Sequence, residues 1–384
     1  MMRWLQVTGM AAAVLVLAGC GGGPEQDMPD AAEAPPESSQ DLPEANADCD
    51  PADDMAFVCG VTSPEDLVAI PDTDLVVASG YIAGAIQYVS RRDQSRIRMF
   101  PVDNPRERHD TALYPDCPGP IDPNENEQFS AHGLNLLTVD DGLHHLYVVH
   151  HGFRESVEIF EIDARAQGAG AASPIPGLTW IGCVIAPEGM SLNSVSLLPH
   201  GGFVVTVPFV PPEGGEFSPA DIGGDAIFGV VLEWHPEDGW STVPESESSG
   251  PNGIEASPDG EWLYVNLWSA GQVMRLSRGR EPVEKEIVDL GFFPDNIRWQ
   301  ADGSLLTAGH SAESIPRILE CLETLCDDMR THTARVDPDT LAVEHVVDAP
   351  ANEHFFTGTA ALEVGGEIWM GSMRGDRIAR FPSD

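Results

Sequence analysis

Six apolar segments spread along the chain are each opened by a polar residue and closed by a turn about six positions later. The opening residues are Glu65, His132, Asn193, Asn252, Asp295 and Thr357. Repetition of one such unit predicts a radial array of blades, and the opening residues of all blades then meet around one axis. Five side chains at these openings carry carboxylate or amide oxygens: Glu65, Asn193, Asn252, Asp295 and Asn296.

This set of oxygen donors predicts a metal site. Calcium takes six to eight hard oxygen ligands in irregular geometry, whereas zinc prefers nitrogen and sulfur. Two carboxylates facing one dication leave the site close to neutral, with room for water or a substrate oxygen. The alternative is that Asn-Gly and Asp-Asn pairs simply form turns. Five oxygen donors in the same register favour calcium as the cofactor.

Three histidines belong to the same predicted region. His132 opens the second segment, His151 ends the strand that follows, and His310 ends a later strand. A histidine beside a polarised carbonyl can act as a general base toward water. A lone histidine at a strand end is often only a structural hydrogen-bonding group. We therefore take His132 and His151 as catalytic candidates and His310 as a pocket residue.

Strand patterns dominate the rest of the chain. A second β-rich segment follows each turn, and third strands are indicated at 156–162 and 272–276. The turns recur every roughly 43 to 69 residues, the scale of a four-stranded blade with its loops. The sequence therefore predicts an all-β, six-bladed propeller with a central metal-binding channel. A short helix is expected within 315–329, and long Pro-rich loops at 101–128 and 208–224 are of the kind that often cover a binding site.

The N-terminal 48 residues predict an export signal and a tether. Arg3 precedes a short apolar core, and Leu17-Ala18-Gly19-Cys20 is similar to a bacterial lipoprotein cleavage box. This divides the chain into a signal at 1–19, a lipidated Cys20 with a tether at 20–48, and the propeller at 49–384. An ordinary cleaved signal with a chance cysteine is the alternative. Residues 21–48 carry eight acidic and no basic side chains, which predicts a disordered segment. We expect attachment to the outer membrane through the lipid.

The charge of the chain limits which partners are expected, and its cysteine content indicates disulfides. The formal charge is −42, or −43 once Arg3 is removed with the signal, which argues against nucleic acid as a partner. Cation binding and adaptation to saline surroundings both fit this charge. Besides Cys20, six cysteines remain, so disulfides are expected in an exported protein. Proximity suggests Cys49–Cys59, Cys321–Cys326 and Cys117–Cys183 among fifteen formal pairings. We expect a monomer.

Several of these segments are similar to those of a known family. The segments at 63–67, 131–134, 148–160, 192–194, 251–254 and 294–297 carry the likeness. They resemble the paraoxonase/arylesterase family, within the wider group of six-bladed, calcium-dependent propellers that includes gluconolactonases and strictosidine-synthase-like proteins.

The resemblance implies a catalytic calcium on the five oxygen donors and a histidine dyad at His132 and His151. It also implies a deeper, structural calcium, for which Asp66 and the backbone carbonyl of Leu134 match ligands. Ser194 stands where the family usually has aspartate, so the chain departs from the pattern there. The family's disulfide between the N- and C-terminal strands is not reproduced, so closure of the ring is expected to rest on strand pairing.

Two functions follow as hypotheses. The first is a calcium-dependent hydrolase of lactones or aryl esters, in which metal polarises the carbonyl and histidine activates water. The second is a non-enzymatic propeller that calcium stabilises for binding a ligand or partner. No Gly-x-Ser-x-Gly sequence is present, which disfavours a serine hydrolase of the nucleophile-elbow type.

Overall fold

The computed structural model describes residues 50–383 except 54, 83, 122–128, 166–174, 211–221, 223–225 and 322–323. The predicted signal, Cys20, the acidic tether and Cys49 therefore lie outside the described residues. The strands of the first half are β1 Ala56–Cys59, β2 Pro64–Ala69, β3 Leu75–Gly80, β4 Ala85–Ser90, β5 Arg96–Phe100, β6 Arg106–Glu107, β7 Ser130–Asp140, β8 Leu143–His151, β9 Ser156–Asp163, β10 Gly177–Ile185, β11 Val195–Leu197 and β12 Phe203–Val207.

The second half continues the same alternation of short strands and turns. Its strands are β13 Val230–His235, β14 Gly239–Thr242, β15 Pro251–Ala256, β16 Trp262–Leu267, β17 Gln272–Ser277, β18 Lys285–Asp289, β19 Phe293–Trp299, β20 Leu305–Ser311, β21 Arg330–Val336, β22 Val343–Pro350, β23 Gly358–Val364, β24 Glu367–Ser372 and β25 Arg377–Pro382. One α-helix, α1 Ile315–Cys321, lies within the range expected for a helix.

These strands form six sheets in a ring, and every pairing within them is antiparallel except that of β6 with β10, which is parallel. The sheets are β2-β3-β4-β5, β7-β8-β9-β10-β6, β11-β12-β13-β14, β15-β16-β17-β18, β19-β20-β21-β22 and β23-β24-β25-β1. The first strands contact one another in the closed order β2, β7, β11, β15, β19, β23 and back to β2. The structure is therefore a six-bladed β-propeller, and the predicted fold class is confirmed.

The ring closes through strand pairing. β1 precedes the first blade in sequence but pairs with β25 of the last blade, with Cys59 opposite Arg377. The last blade is thus built from both ends of the described chain. Apolar side chains between blades 6 and 1, including Val58, Leu67 and Trp369, are buried at this seam. Their burial removes apolar surface from water and holds the closure without a covalent link.

Two disulfides agree with the pairing suggested by proximity. Cys117 bonds to Cys183 and Cys321 bonds to Cys326. Cys59 is also disulfide-bonded, and its expected partner is outside the described residues. The described part of the 101–128 loop runs along the outer edge of blade 2, where β6 pairs with β10. This part packs against the rim of a blade and contributes nothing to the lining of the cavity described below.

A register shift recurs on the innermost strands. The pairing of first and second strands slips between Pro64 and Leu67, Ala131 and Leu134, Pro251 and Ile254, Pro294 and Ile297, and Gly358 and Ala361. Each slip leaves two consecutive residues outside the regular ladder, and such bulges re-aim side chains. In blades 1, 4 and 5 the freed pair contains the predicted oxygen ligands. In blade 6 the equivalent residue is Thr359, which corrects the sequence-based assignment of Thr357.

Among the described residues, no helix combines the length and apolarity needed to cross a membrane.

Candidate active site

The openings of the inner strands surround a cavity of about 210 Å³. Six residues predicted from sequence line it: Glu65, His132, Asn193, Asn252, Asp295 and His310. Asn296 lies directly behind, since its Nδ2 donates to Glu65 Oε1 at 2.7 Å. Residues separated by up to 245 positions along the chain therefore meet at one place, because they come from the first five blades of one ring.

Glycines allow the inner strands to approach this closely. A Cβ on Gly133 would lie 2.7 Å from the carbonyl oxygen of Asn193, and one on Gly253 would lie 2.5 Å from the carbonyl oxygen of Asp295. Both distances are far shorter than van der Waals contact. Each glycine follows a residue of the cavity, so the absence of a side chain there brings neighbouring blades together at the site.

The oxygen atoms of the predicted ligands share an unusual property. Glu65 Oε2 and the Oδ1 atoms of Asn193, Asn252 and Asn296 are buried and accept no hydrogen bond from any described residue. The amide NH₂ groups, by contrast, are used. Asn296 donates to Glu65, Asn252 donates to the Asp295 carboxylate, and Asn193 Nδ2 lies 3.4 Å from His132 Nε2. Buried acceptors are normally satisfied, so four oxygens without donors, on residues that line one cavity or lie directly behind it, fit a cation.

The electrostatics point the same way. Burial raises the pKa of Glu65 well above its usual range, and the carboxylates of Asp295 and Asp66 raise it further. Burial and the charge of Asp66 raise the pKa of Asp295 to about 8, although the hydrogen bond from Asn252 opposes them. Two buried carboxylates are therefore costly as anions when only protein surrounds them. A dication between them would remove that cost, and hard oxygen ligands suit calcium.

The two candidate histidines contact each other. His132 Nδ1 lies 2.8 Å from His151 Nε2, and His151 Nδ1 lies 2.8 Å from Glu155 Oε2. The carboxylate can only accept, so His151 Nδ1 carries a proton and its Nε2 accepts from His132 Nδ1–H. His132 Nε2 then carries a lone pair at the cavity, where Asn193 Nδ2 lies 3.4 Å and Glu65 Oε1 lies 3.6 Å from it.

Burial, reinforced by His151, lowers the pKa of His132 well below its usual range. The imidazole is therefore a neutral base at neutral pH. The ring of Tyr81 lies over it, with centroids 4.6 Å apart, and restricts its rotation. His132 can therefore accept a proton at Nε2 in the cavity, and positive charge can move outward through His151 toward the Glu155 carboxylate.

His310 is not placed to act as a general base. Its Nε2 accepts a hydrogen bond from Trp268 Nε1 at 3.1 Å, and its Nδ1 donates to the carbonyl oxygen of Gly358 at 3.3 Å. Burial lowers its pKa to about 4. Both ring nitrogens are occupied, so His310 positions the Trp268 indole in the cavity wall.

The residues matched to a second calcium lie beside the site. Asp66 Oδ2 accepts hydrogen bonds from the backbone N–H of Leu134 at 2.7 Å and from Arg298 Nη2 at 2.6 Å. The backbone group of Leu134 that contacts Asp66 is thus its N–H, whereas the resemblance implies its carbonyl as a ligand. Hydrogen-bond donors surround this carboxylate, which does not fit a second cation. Elsewhere in the described structure, Cys321, Cys326 and Asp328 cluster with metal-like spacing, but the two sulfurs are joined in a disulfide.

Sequence reasoning missed Glu155 and, apart from His310, the walls of the cavity. The walls follow a rule that only the strand register reveals: each blade contributes a residue at the end of its second strand or directly after it. Tyr81, Pro208, Trp268 and Met373 directly follow their second strands and line the cavity, His310 is the penultimate residue of β20, and His151 ends β8. Phe209, Ile222 and Leu319 add further apolar surface. A search of each repeat at that offset would have found this second ring.

The similarity of this chain to known proteins is confined to solved structures. No protein-family profile matches the sequence, and no curated protein matches it. Solved structures do match. One of a putative gluconolactonase shares 16% identity over 84% of this chain and 90% of its own, with a TM-score of 0.48.

A luciferin-regenerating enzyme shares 11% identity over 85% of this chain and 95% of its own, with a TM-score of 0.47. Virginiamycin B lyase from Staphylococcus aureus shares 10% identity over 85% of this chain and 98% of its own, with a TM-score of 0.46. At such identities the likeness concerns the fold, and the function has to be argued from the site.

Proposed function

We propose that this propeller is a calcium-dependent hydrolase of lactones or aryl esters. The observation that carries the proposal is the lone pair of His132 Nε2, which faces the same cavity as four unsatisfied oxygens and two buried carboxylates. Glu65, Asn193, Asn252, Asp295 and Asn296 would hold the ion. Bound there, calcium would polarise a substrate carbonyl and stabilise the negative charge that develops on its oxygen.

The chain's own residues supply the proton chemistry. Water attacks the carbonyl carbon while His132 Nε2 takes one of its protons. The Nδ1 proton of His132 can then move 2.8 Å to His151 Nε2. This leaves the positive charge on His151, beside the Glu155 carboxylate. The proton returns along the same path to the leaving alkoxide or phenoxide when the carbon–oxygen bond breaks.

The cavity walls indicate the substrate class. Phe209, Trp268, Leu319 and Met373 present apolar and aromatic surface around the acidic floor. Such walls stabilise an alkyl or aryl substituent and exclude bulk water from the carbonyl. The buried carboxylates disfavour anionic substrates. We therefore favour neutral lactones and esters with an apolar substituent over polyhydroxylated sugar lactones.

The test is a chelator-controlled screen of the purified protein. We expect turnover of apolar lactones or aryl esters that is lost on chelation and restored by calcium. His132→Gln should abolish turnover while keeping calcium-dependent stabilisation in a thermal-shift assay. Activity that persists after complete metal removal would refute the mechanism. Stabilisation by calcium without turnover of any substrate would favour the binding propeller instead.

A further inference from the structure

One step along the inner strands from the cavity, an arginine is buried between carboxylates of two other blades. Arg298 of β19 donates through Nη2 to Asp66 Oδ2 of β2 at 2.6 Å and through Nη1 to Glu255 Oε1 of β15 at 3.1 Å. The three side chains are 10, 1 and 7% exposed, respectively. A single guanidinium therefore links blades 1, 4 and 5 inside the channel.

The carboxylate oxygens around Arg298 are all satisfied. Asp66 Oδ1 accepts from the N–H of Leu67 at 2.8 Å, and its Oδ2 also accepts from the N–H of Leu134. Glu255 Oε2 accepts from Ser196 Oγ at 3.1 Å. This layer is the opposite of the cavity ring, where four ligand oxygens have no donor among the described residues.

We infer that the Arg298 guanidinium takes the place of a second metal ion, so that this propeller holds one divalent cation. The inference rests on the proposed function only for the cation in the cavity ring. It reverses what the family resemblance implies for Asp66 and Leu134. A guanidinium stays protonated throughout the accessible pH range and offers only N–H donors. A dication in this layer would meet a fixed positive charge and carboxylate oxygens that each already accept a hydrogen bond.

Ser194 fits this arrangement. The deeper site of the resembled family uses an aspartate there, and here an uncharged side chain stands in its place. Asp66 and Glu255 supply two negative charges against one from Arg298. The layer thus carries a net charge of −1, and a dication added to it would bring the net charge to +1. The arginine supplies cross-blade attraction that does not depend on metal concentration.

The first experiment counts bound calcium in the purified protein by isothermal titration and by metal analysis after gel filtration. We expect one equivalent in the wild type and none in Asn252→Ala. Two equivalents would overturn this inference and leave the proposed function standing. No bound calcium would refute the cation ring itself, and with it both the proposed function and the single-cation count.

The second experiment removes the internal cation. Arg298→Met should bind a second equivalent of calcium, and its thermal unfolding should rise with calcium well beyond the rise of the wild type. Arg298→Lys keeps the positive charge and should still bind one. Arg335→Met, which breaks a 3.2 Å ion pair with Glu363 that involves neither Asp66 nor Glu255, is the matched control and should bind one equivalent.

A variant that needs calcium in order to fold still reports on the idea. If Arg298→Met is unfolded in chelator, we expect it to fold when calcium is added. The wild type should be folded both with and without calcium. Failure to recover at any calcium concentration, or a folded variant that still binds a single equivalent, would show that this layer has no capacity for a cation and would overturn the replacement.

Discussion

Replacing Glu155 by glutamine tests the proton path most directly. Glu155 contacts His151 Nδ1 at 2.8 Å and lies outside the ring of oxygen ligands. In the proposed reaction, positive charge develops on His151 next to this carboxylate. Glutamine keeps the size and can still accept the hydrogen bond through its amide oxygen, so the substitution removes mainly the charge.

The size of the effect follows from Coulomb's law. Two unit charges 4 Å apart interact by about 4 kcal/mol near a protein surface and by about 1 kcal/mol in water. The Glu155 side chain is 36% exposed, so we take a screened value of about 2 kcal/mol. Lost from the transition state, this corresponds to roughly a 30-fold lower rate.

The assay is kcat/KM on an apolar lactone or aryl ester across pH 5 to 9, together with calcium titration. We expect Glu155→Gln to lose roughly 30-fold in kcat/KM with unchanged calcium affinity, and the acid limb of its profile to change. Glu161→Gln is the matched control, because Glu161 lies 3.9 Å from His145 on the outer part of the same sheet. Full activity in Glu155→Gln would refute the relay, and a parallel loss of calcium affinity would assign Glu155 to the metal site.

Three further predictions test the site, a buried histidine and the N-terminus. Asn252→Ala should remove the stabilisation by calcium, about 2.7 kcal/mol at a hundredfold excess over Kd, and thermal unfolding with and without calcium measures it; an undiminished shift would place the ion elsewhere. Burial lowers the pKa of His310 to about 4. Below pH 6.5 the unfolded chain therefore binds a proton at this residue while the folded protein does not, and the free energy of unfolding falls as pH falls. Denaturant unfolding at pH 7 and pH 5 should show a loss of roughly 2 kcal/mol from this group that His310→Gln lacks; equal losses in both proteins would contradict the buried neutral imidazole. Cys20→Ser should move the protein from the membrane to the soluble fraction of an expressing cell, and retention in the membrane fraction would count against a lipid anchor.

The repeat pattern was enough to predict most of the fold. Each unit opens with a polar residue, continues with β-branched or apolar residues and ends in a turn, and such alternation specifies strands locally. Closure by strand pairing was expected because no cysteine lies near 377–381, and the structure shows that β1 and β25 are the strands that pair. The fifth strand of blade 2 was missed because the two residues of β6, Arg106 and Glu107, carry no strand signal of their own.

The cavity was only half predictable. Its oxygen donors repeat at one offset in the units and were found that way. Its walls come from residues at the end of each second strand or directly after it, where tyrosine, proline, tryptophan, histidine and methionine share no chemical type. Glu155 was missed because it lies in the turn between β8 and β9, and only the folded turn brings it to His151.

The sequence by itself determined the blade number, the inner strands and the oxygen-rich residues that open them, because local alternation and a repeated offset can be read without knowing the fold. Tertiary structure alone decided which oxygens lack donors, which way the proton chain from His132 to Glu155 runs, and that Arg298 lies between Asp66 and Glu255. Each of these properties depends on contacts among residues of several blades, and the separation of those residues along the chain does not reveal which of them are in contact.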